Sequence, residues 1–180
     1  MDQNIIRVDD KQFRIFITRT EIEKDVARIA GEMNRDLAKK DPVFLGILNG
    51  AFMFAGDLFK LLDFPCQISF LKLASYRGTG SSGEVKKLIG INADLSGRVV
   101  VILEDIVDTG VTLEETIREL SGHHPAGIRV ATFLHKPGAT IREVRLDYVG
   151  REIPNDFVVG YGLDYNGYGR NFGDIYRVMD

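Results

Sequence analysis

The chain has one cysteine, Cys66, and three histidines among its 180 residues. A single thiol cannot build an internal disulfide framework, which fits a reducing compartment. Cys66 has no evident histidine partner and reads as a small packed hydrophobe. No His/Cys set has zinc-ligand spacing. His123 and His124 fall where a helix is expected to end, and His135 stands alone. Lysine and arginine form no block and the net charge is −3, so a nucleic-acid footprint is missing. The longest apolar stretch, near Gly50 to Leu62, is interrupted by Asp57 and Lys60 and is too short to span a bilayer. The opening MDQNIIRVDD has no basic segment followed by an apolar one, so no signal peptide is expected. The pattern G-x-x-x-x-G-K-[ST] is absent, which removes the P-loop NTPase reading. Nor are there repeats, low-complexity tracts or a dividing linker. A cytoplasmic protein without membrane or nucleic-acid partners is the expectation.

What is present suits one soluble domain over residues 1–180. Hydrophobic residues make up 44% and charged residues 27%, enough for a sizeable core or a core with a small flap. Residues 13–18 predict a strand. Thr20 and Glu23 form a capping-box pattern, followed by Ile22, Val26, Ile29, Met33 and Leu37 at helical spacing. This helix is expected to end near Lys39–Lys40, ahead of Pro42. Val43 to Leu48 reads as a buried strand, Asn49-Gly50 as a sharp turn, and Ala51 to Leu62 as a mostly apolar helix. Pro65 to Leu73 predicts a strand leading into Ser75-Tyr76 and the glycine-serine stretch Gly78 to Gly83. That stretch matches G-x-G-x-x-G, but the EVKKLIGIN after it is too short for the helix a dinucleotide fingerprint opens. A mobile hairpin loop is expected instead. Further strands are expected at Gly127 to Leu134, Leu146 to Val149, Phe157 to Gly160 and Ile175 to Met179.

The chemistry concentrates in residues 98–120, RVVVILEDIVDTGVTLEETIREL. Five apolar residues, Val99 to Leu103, read as a strand buried on both faces of a parallel sheet. They end in Glu104 and Asp105, with Asp108 beyond. Thr109, Gly110 and Thr112 then precede a helix with Leu113, Ile117 and Leu120 on one face. In an open α/β sheet, ligands bind at the carboxyl end of such a strand. Gly110 permits close backbone approach, and free N–H groups at the helix start can hold a phosphate, with Thr109 and Thr112 hydroxyls beside them. The acids can take ribose hydroxyls, a hydrated Mg²⁺ or a proton. All-oxygen donors favour Mg²⁺ over a softer metal.

The run Glu104-Asp105-Ile106-Val107-Asp108-Thr109-Gly110-Val111-Thr112 resembles the ribose-phosphate loop of type I phosphoribosyltransferases, most closely their hypoxanthine-guanine branch. The resemblance covers nearly the whole chain. Leu48-Asn49-Gly50 falls where the family has its pyrophosphate-binding turn, often built around a cis peptide. Ser75-Tyr76 resembles the pair opening the family's mobile lid. Lys136 follows its strand as the family's base-recognising lysine does. Phe157 to Asn166, FVVGYGLDYN, resembles the purine-binding segment, and Arg170 matches a pyrophosphate-contacting arginine. Asn49 departs from the pattern, since many members carry lysine there. Taken singly, Phe157 would be core, Lys136 a solvated strand-end lysine, and Asp164 with Arg170 a surface ion pair. Their joint order behind the central loop is what makes the resemblance specific.

The resemblance implies an α/β fold, a parallel sheet flanked by helices, with a small hood drawn mainly from residues 1–20 and 150–180. It implies purine salvage: 5-phosphoribosyl pyrophosphate and hypoxanthine or guanine give IMP or GMP and pyrophosphate. Asp108 would be the general base. Glu104, Asp105, Asp108, Thr109, Gly110, Val111 and Thr112 would hold the phosphoribosyl group, and Asn49, Gly50, Ser75, Tyr76 and Arg170 the pyrophosphate. Lys136, Phe157, Val158 and Asp164 would hold the purine, and Glu104, Asp105 and Asp164 would bind Mg²⁺. A homodimer or homotetramer is implied as well. Transfer to a pyrimidine, and a regulator that keeps the fold while binding RNA or DNA, are the rival readings. Lys136 with the Phe157–Asn166 run argues against the first. The lack of a basic face or an appended DNA-binding domain argues against the second.

Overall fold

The computed structural model describes residues 4–75, 86–89, 91 and 93–179. Tyr76 and the Gly78–Gly83 stretch, and with them the expected lid, lie outside the described residues, as does the side chain of Ser75, which ends a strand. Two sheets organise the rest. The larger has six strands in the order β5-β4-β3-β6-β7-β8: β3 is Val43–Leu48, β4 Gln67–Ser75, β5 Lys86–Ile89, β6 Val99–Val107, β7 Gly127–His135 and β8 Tyr148–Glu152. Five are parallel, and β5 pairs antiparallel with β4 at one edge.

Alternation along the central strands sends successive residues to opposite faces. Phe44, Val101 and Leu103 meet helices α1 (Arg19–Leu37) and α2 (Phe52–Phe59) on one face. Val43, Leu45, Val100 and Ile102 meet α3 (Val111–Ser121) on the other. With helices on both faces, β3 and the first five residues of β6, Val99 to Leu103, must be apolar, as they are.

Helix α1 starts two residues earlier than expected. Its N-cap is Thr18, and the capping box joins Thr18 to Glu21, not Thr20 to Glu23. The sequence offers both T-x-x-E frames; Thr18 wins because its extended backbone ends β2 and its hydroxyl meets the Glu21 amide. The buried stripe Ile22, Val26, Ile29, Met33 and Leu37 is the expected one. Arg151 pins α1 to β8 through Asp25 at 2.8 Å and Glu21 at 2.9 Å. Helix α2 is shorter than its apolar pattern suggested, and β8 begins later, at Tyr148.

The hood is an antiparallel sheet ordered β1-β2-β10-β9, with β1 Ile5–Val8, β2 Lys11–Ile17, β9 Val158–Val159 and β10 Ile175–Val178. The expected hood is thus built from the two ends of the chain. Strand β1 was not foreseen; Asp9, at φ 53°, turns it back onto β2. Val8, Phe13, Val159 and Tyr176 form the hood's own core.

Candidate active site

The strand order reverses direction between β3 and β6: β3 leads outward to β4, whereas β6 leads the other way through β7 to β8. Such a switch point leaves a crevice at the carboxyl ends of the two strands. Into it run the Asn49–Gly50 turn after β3 and the Asp108–Thr112 loop after β6.

Strand β6 does not stop at Leu103 as the sequence suggested. It loses β3 after the Leu103–Gly46 pair but stays paired to β7 as far as Val107. Glu104 and Asp105 are therefore strand residues, and the pleat sends them to opposite sides. Glu104, only 8% exposed, lines a cleft of about 230 Å³ with Ile47, Asp108, Thr109, Gly110 and Thr112. Asp105 faces Gly50. Burial, then the neighbouring Asp105 charge, lifts the Glu104 carboxyl well above the carboxylate range. Burial also pushes Asp105 up to about 6, against the hydrogen bond from the Ile106 amide and the nearby Arg170.

The cleft ends at the start of α3. Gly110, at φ 78°, is the N-cap and offers no side-chain cap, and it lines the cleft together with Thr112 and Leu113 of the first turn. The loop is held from behind: the Thr109 carbonyl accepts from both the Ile141 and Arg142 amides at 2.9 Å. A Cβ on Gly110 would strike the Arg142 carbonyl, so only glycine fits there. The same supporting segment begins at Lys136, whose amide donates to the Val107 carbonyl at 2.9 Å.

Lys136, 7% exposed, is not a solvated strand-end lysine. Its ammonium lies 3.4 Å from the Asp108 carboxylate, and 28 residues of sequence separate the two. Phe157 is 44% exposed, with its ring edge-on to Tyr165 and tilted against buried Phe13. Lys11 sits over both the Tyr165 and Phe157 rings. Val158 is buried in β9, paired with Arg177 of β10. Asp164 and Arg170 form an ion pair at 2.5 Å, and Arg170 also donates to the Gly162 carbonyl at 2.7 Å. Gly162 packs on the Gly50 carbonyl, so this pair sits beside the Asn49–Gly50 turn and not on an open surface.

At that turn the Leu48–Asn49 peptide is cis. The Asn49 side chain is exposed and Gly50 is buried. A Cβ on Gly50 would overlap the Asp105 carboxyl group, and one on Gly162 would overlap the Gly50 carbonyl. Within the Phe157–Asn166 run, sequence reasoning gave no individual role to Gly162 or to its neighbour Tyr161, whose hydroxyl donates to Asp57 at 3.1 Å. The left-handed φ of Tyr161, 49°, has no signal in its residue type.

The donor set near the crevice is all oxygen, from Glu104, Asp105 and Asp164, and two of these acids are destabilised as anions by burial. A hard divalent cation fits such a set. Among the described residues no group of three or more acids, histidines or cysteines closes on one point.

Residues 17–166 match the phosphoribosyl transferase domain. A hypoxanthine-guanine phosphoribosyltransferase of Mycobacterium avium is 42% identical over 159 residues, covering 84% of this chain and 78% of the relative. One from Lactococcus lactis is 37% identical over 172 residues, covering 95% and 92%. The crystal structure of a hypoxanthine-guanine phosphoribosyltransferase from Bacillus anthracis superposes with a TM-score of 0.84 at 30% identity, covering 98% of this chain and 100% of that one. The chain belongs to the phosphoribosyltransferase family, in its hypoxanthine-guanine branch.

Proposed function

We propose that the whole chain works as one catalytic domain that transfers the 5-phosphoribosyl group of phosphoribosyl pyrophosphate to hypoxanthine or guanine, giving IMP or GMP and pyrophosphate. The observation that carries this reading is the pairing of Asp108 with Lys136 at the lip of a cleft whose far end is an uncapped helix start. One group can accept a proton and the other can donate to a 6-oxo group, and both lie within reach of a sugar phosphate.

In this reading the α3 amides and the Thr109 and Thr112 hydroxyls hold the 5-phosphate. Glu104 and Asp105 take the ribose hydroxyls, directly or through magnesium. Asn49 and Gly50, through backbone N–H groups, and Arg170 hold the pyrophosphate, with Ser75 and Tyr76 assigned to the same group. Lys136 donates to the purine oxygen, Phe157 stacks on the ring, and the Val158 and Asp164 backbones meet its amino-bearing edge. One purine ring nitrogen attacks C1 of the ribose as the bond from C1 to the pyrophosphate oxygen breaks. Asp108 takes the proton from the other imidazole nitrogen. Glu104, Asp105 and Asp164 would hold Mg²⁺, which neutralises charge on the departing pyrophosphate.

A cytoplasmic location belongs to this reading; no helix among the described residues is long and apolar enough to cross a membrane. So does a homodimer or homotetramer, supported by exposed Phe52, Ile68 and Phe70 and tested by light scattering. The activity is tested by steady-state assay of hypoxanthine, guanine, xanthine and a pyrimidine with the sugar pyrophosphate and Mg²⁺. Turnover confined to 6-oxopurines is expected. Turnover of the pyrimidine alone, or of no base, would refute it.

A further inference from the structure

Three consecutive residues of the purine segment have left-handed backbones: Gly160 at φ 98°, Tyr161 at φ 49° and Gly162 at φ 96°. The glycines are suited to this, since a Cβ on either would strike a backbone carbonyl, that of Asp174 or of Gly50. Tyrosine is not. A bulky residue stays in that region only where its surroundings over-determine it.

Tyr161 is constrained on every side. Its amide donates to the Phe172 carbonyl at 2.8 Å, and its ring packs on Phe133 with centroids 5.0 Å apart. Its hydroxyl reaches out of the hood to Asp57, in the second turn of α2. Asp57 divides its oxygens: Oδ1 takes surface Lys60 at 2.8 Å, and Oδ2 accepts from Tyr161 at 3.1 Å. Burial and the Asp57 charge both push the Tyr161 hydroxyl above the usual phenol range, so it remains a donor.

What this joins is specific. Helix α2 is the element that the Asn49–Gly50 turn opens. The Tyr161 turn is the element that carries Asp164 forward, and its Gly162 is clamped by Arg170 through two hydrogen bonds, at 3.0 and 2.7 Å. The two elements touch at Gly50 against Gly162 and again at Asp57 against Tyr161. The first contact has no side chain to hold it. The second supplies one.

We propose that Tyr161 and Asp57 are a positioning pair, whose hydrogen bond seats the Gly160–Asp164 turn on the pyrophosphate turn and so sets Asp164 and Arg170 over Asp105. Neither residue touches substrate; both act through the turn. The inference rests on the transferase reading for its kinetic consequence and stands apart from it for its structural one.

Three variants test it: Tyr161→Phe, which keeps the ring and its packing; Asp57→Leu, which removes the acceptor; and Asp57→Asn, whose amide oxygen can still accept. Loss of one such hydrogen bond corresponds to roughly a 5- to 30-fold effect. That rise is expected in KM for the sugar pyrophosphate with Tyr161→Phe and Asp57→Leu, with kcat changed less. The Gly162 and Leu163 amides should exchange faster with deuterium in the free protein. Asp57→Asn should recover most of both properties. A lower Tm with unchanged KM and exchange would make the bond merely structural and overturn the proposal. So would an Asp57→Asn as impaired as Asp57→Leu. A wild-type protein inactive with every 6-oxopurine would strike the transferase reading instead, and the exchange rates would still judge the seat.

Discussion

Gly50 offers the sharpest test of the pyrophosphate role proposed for the Asn49–Gly50 turn. In Gly50→Ala the new methyl group overlaps the Asp105 carboxyl group. That carboxyl group is not free to swing away, because Oδ1 accepts from the Ile106 amide at 2.9 Å. The turn is not free to slide either, since its carbonyl lies directly under Gly162. Overpacking of this kind costs about 1–3 kcal/mol of stability, roughly 2–12 °C in Tm for a chain of this size. The functional loss is larger, because displacing reacting or binding groups by 1 Å can cost about 100-fold. Gly50→Ala is therefore expected to lower kcat/KM for the sugar pyrophosphate by roughly 100-fold, and Gly50→Val by more. Asn49→Lys changes an exposed side chain and leaves the backbone amides in place. It should shift KM only a few-fold, roughly, and make it more sensitive to salt. Steady-state kinetics on the folded variants, with Tm measured in parallel, decides the matter. A Gly50→Ala enzyme within about threefold of wild type, or an inactive Asn49→Lys enzyme, would refute the argument that geometry and not charge makes this site.

Asp108→Asn should lower kcat by about 10²–10⁴-fold with little change in Tm; a loss of only a few-fold would remove Asp108 as the base. Lys136→Ala deletes a buried charged donor worth roughly 1.5–3 kcal/mol, so KM for hypoxanthine should rise about 10- to 150-fold while that for the sugar pyrophosphate moves far less. Equal losses for both substrates would mark a structural lysine. The Thr18 amide, then Arg151, holds Glu21 down at about 2, below its unfolded value. Its contribution to stability is thus present above about pH 4.5 and fades as pH falls toward 2. Glu21→Gln should lower Tm at pH 6 and coincide with wild type near pH 2, and a constant gap across that range would contradict the cap assignment.

The legible parts of this fold are those where pattern and burial agree. Val43 to Leu48 reads as a buried strand and is one, with no polar residue to confuse its ends. The heptad-like stripe of α1 and the Leu113–Leu120 face of α3 were readable for the same reason. Beyond Leu103 the pattern breaks, because Glu104 and Asp105 look like the start of a loop. Backbone pairing to β7 nevertheless carries the strand on through both acids. Acids held in a strand violate the local rule, and such violations gather where function requires them. The candidate residues of the Glu104–Thr112 loop could be singled out because that motif is contiguous, and the others came from the family resemblance. The contacts that shape them could not: Gly50 with Asp105, Lys136 with Asp108 and Tyr161 with Asp57 each join distant segments through side-chain geometry. The N-cap shows a smaller ambiguity, since two overlapping T-x-x-E frames can be separated only by knowing where β2 ends.

The segment from Lys136 to Arg142 has two employers. Its first residue pairs with Asp108, and its last two amides grip the carbonyl of Thr109. A protein engineer who grafted a longer or shorter loop here to change what surrounds Lys136 would disturb the Thr109 loop with the same stroke. Point substitutions at the exposed turn residues Pro137 and Gly138 leave that span intact, whereas insertions do not. This corner of the crevice is thus open to changes of side chain and closed to changes of length.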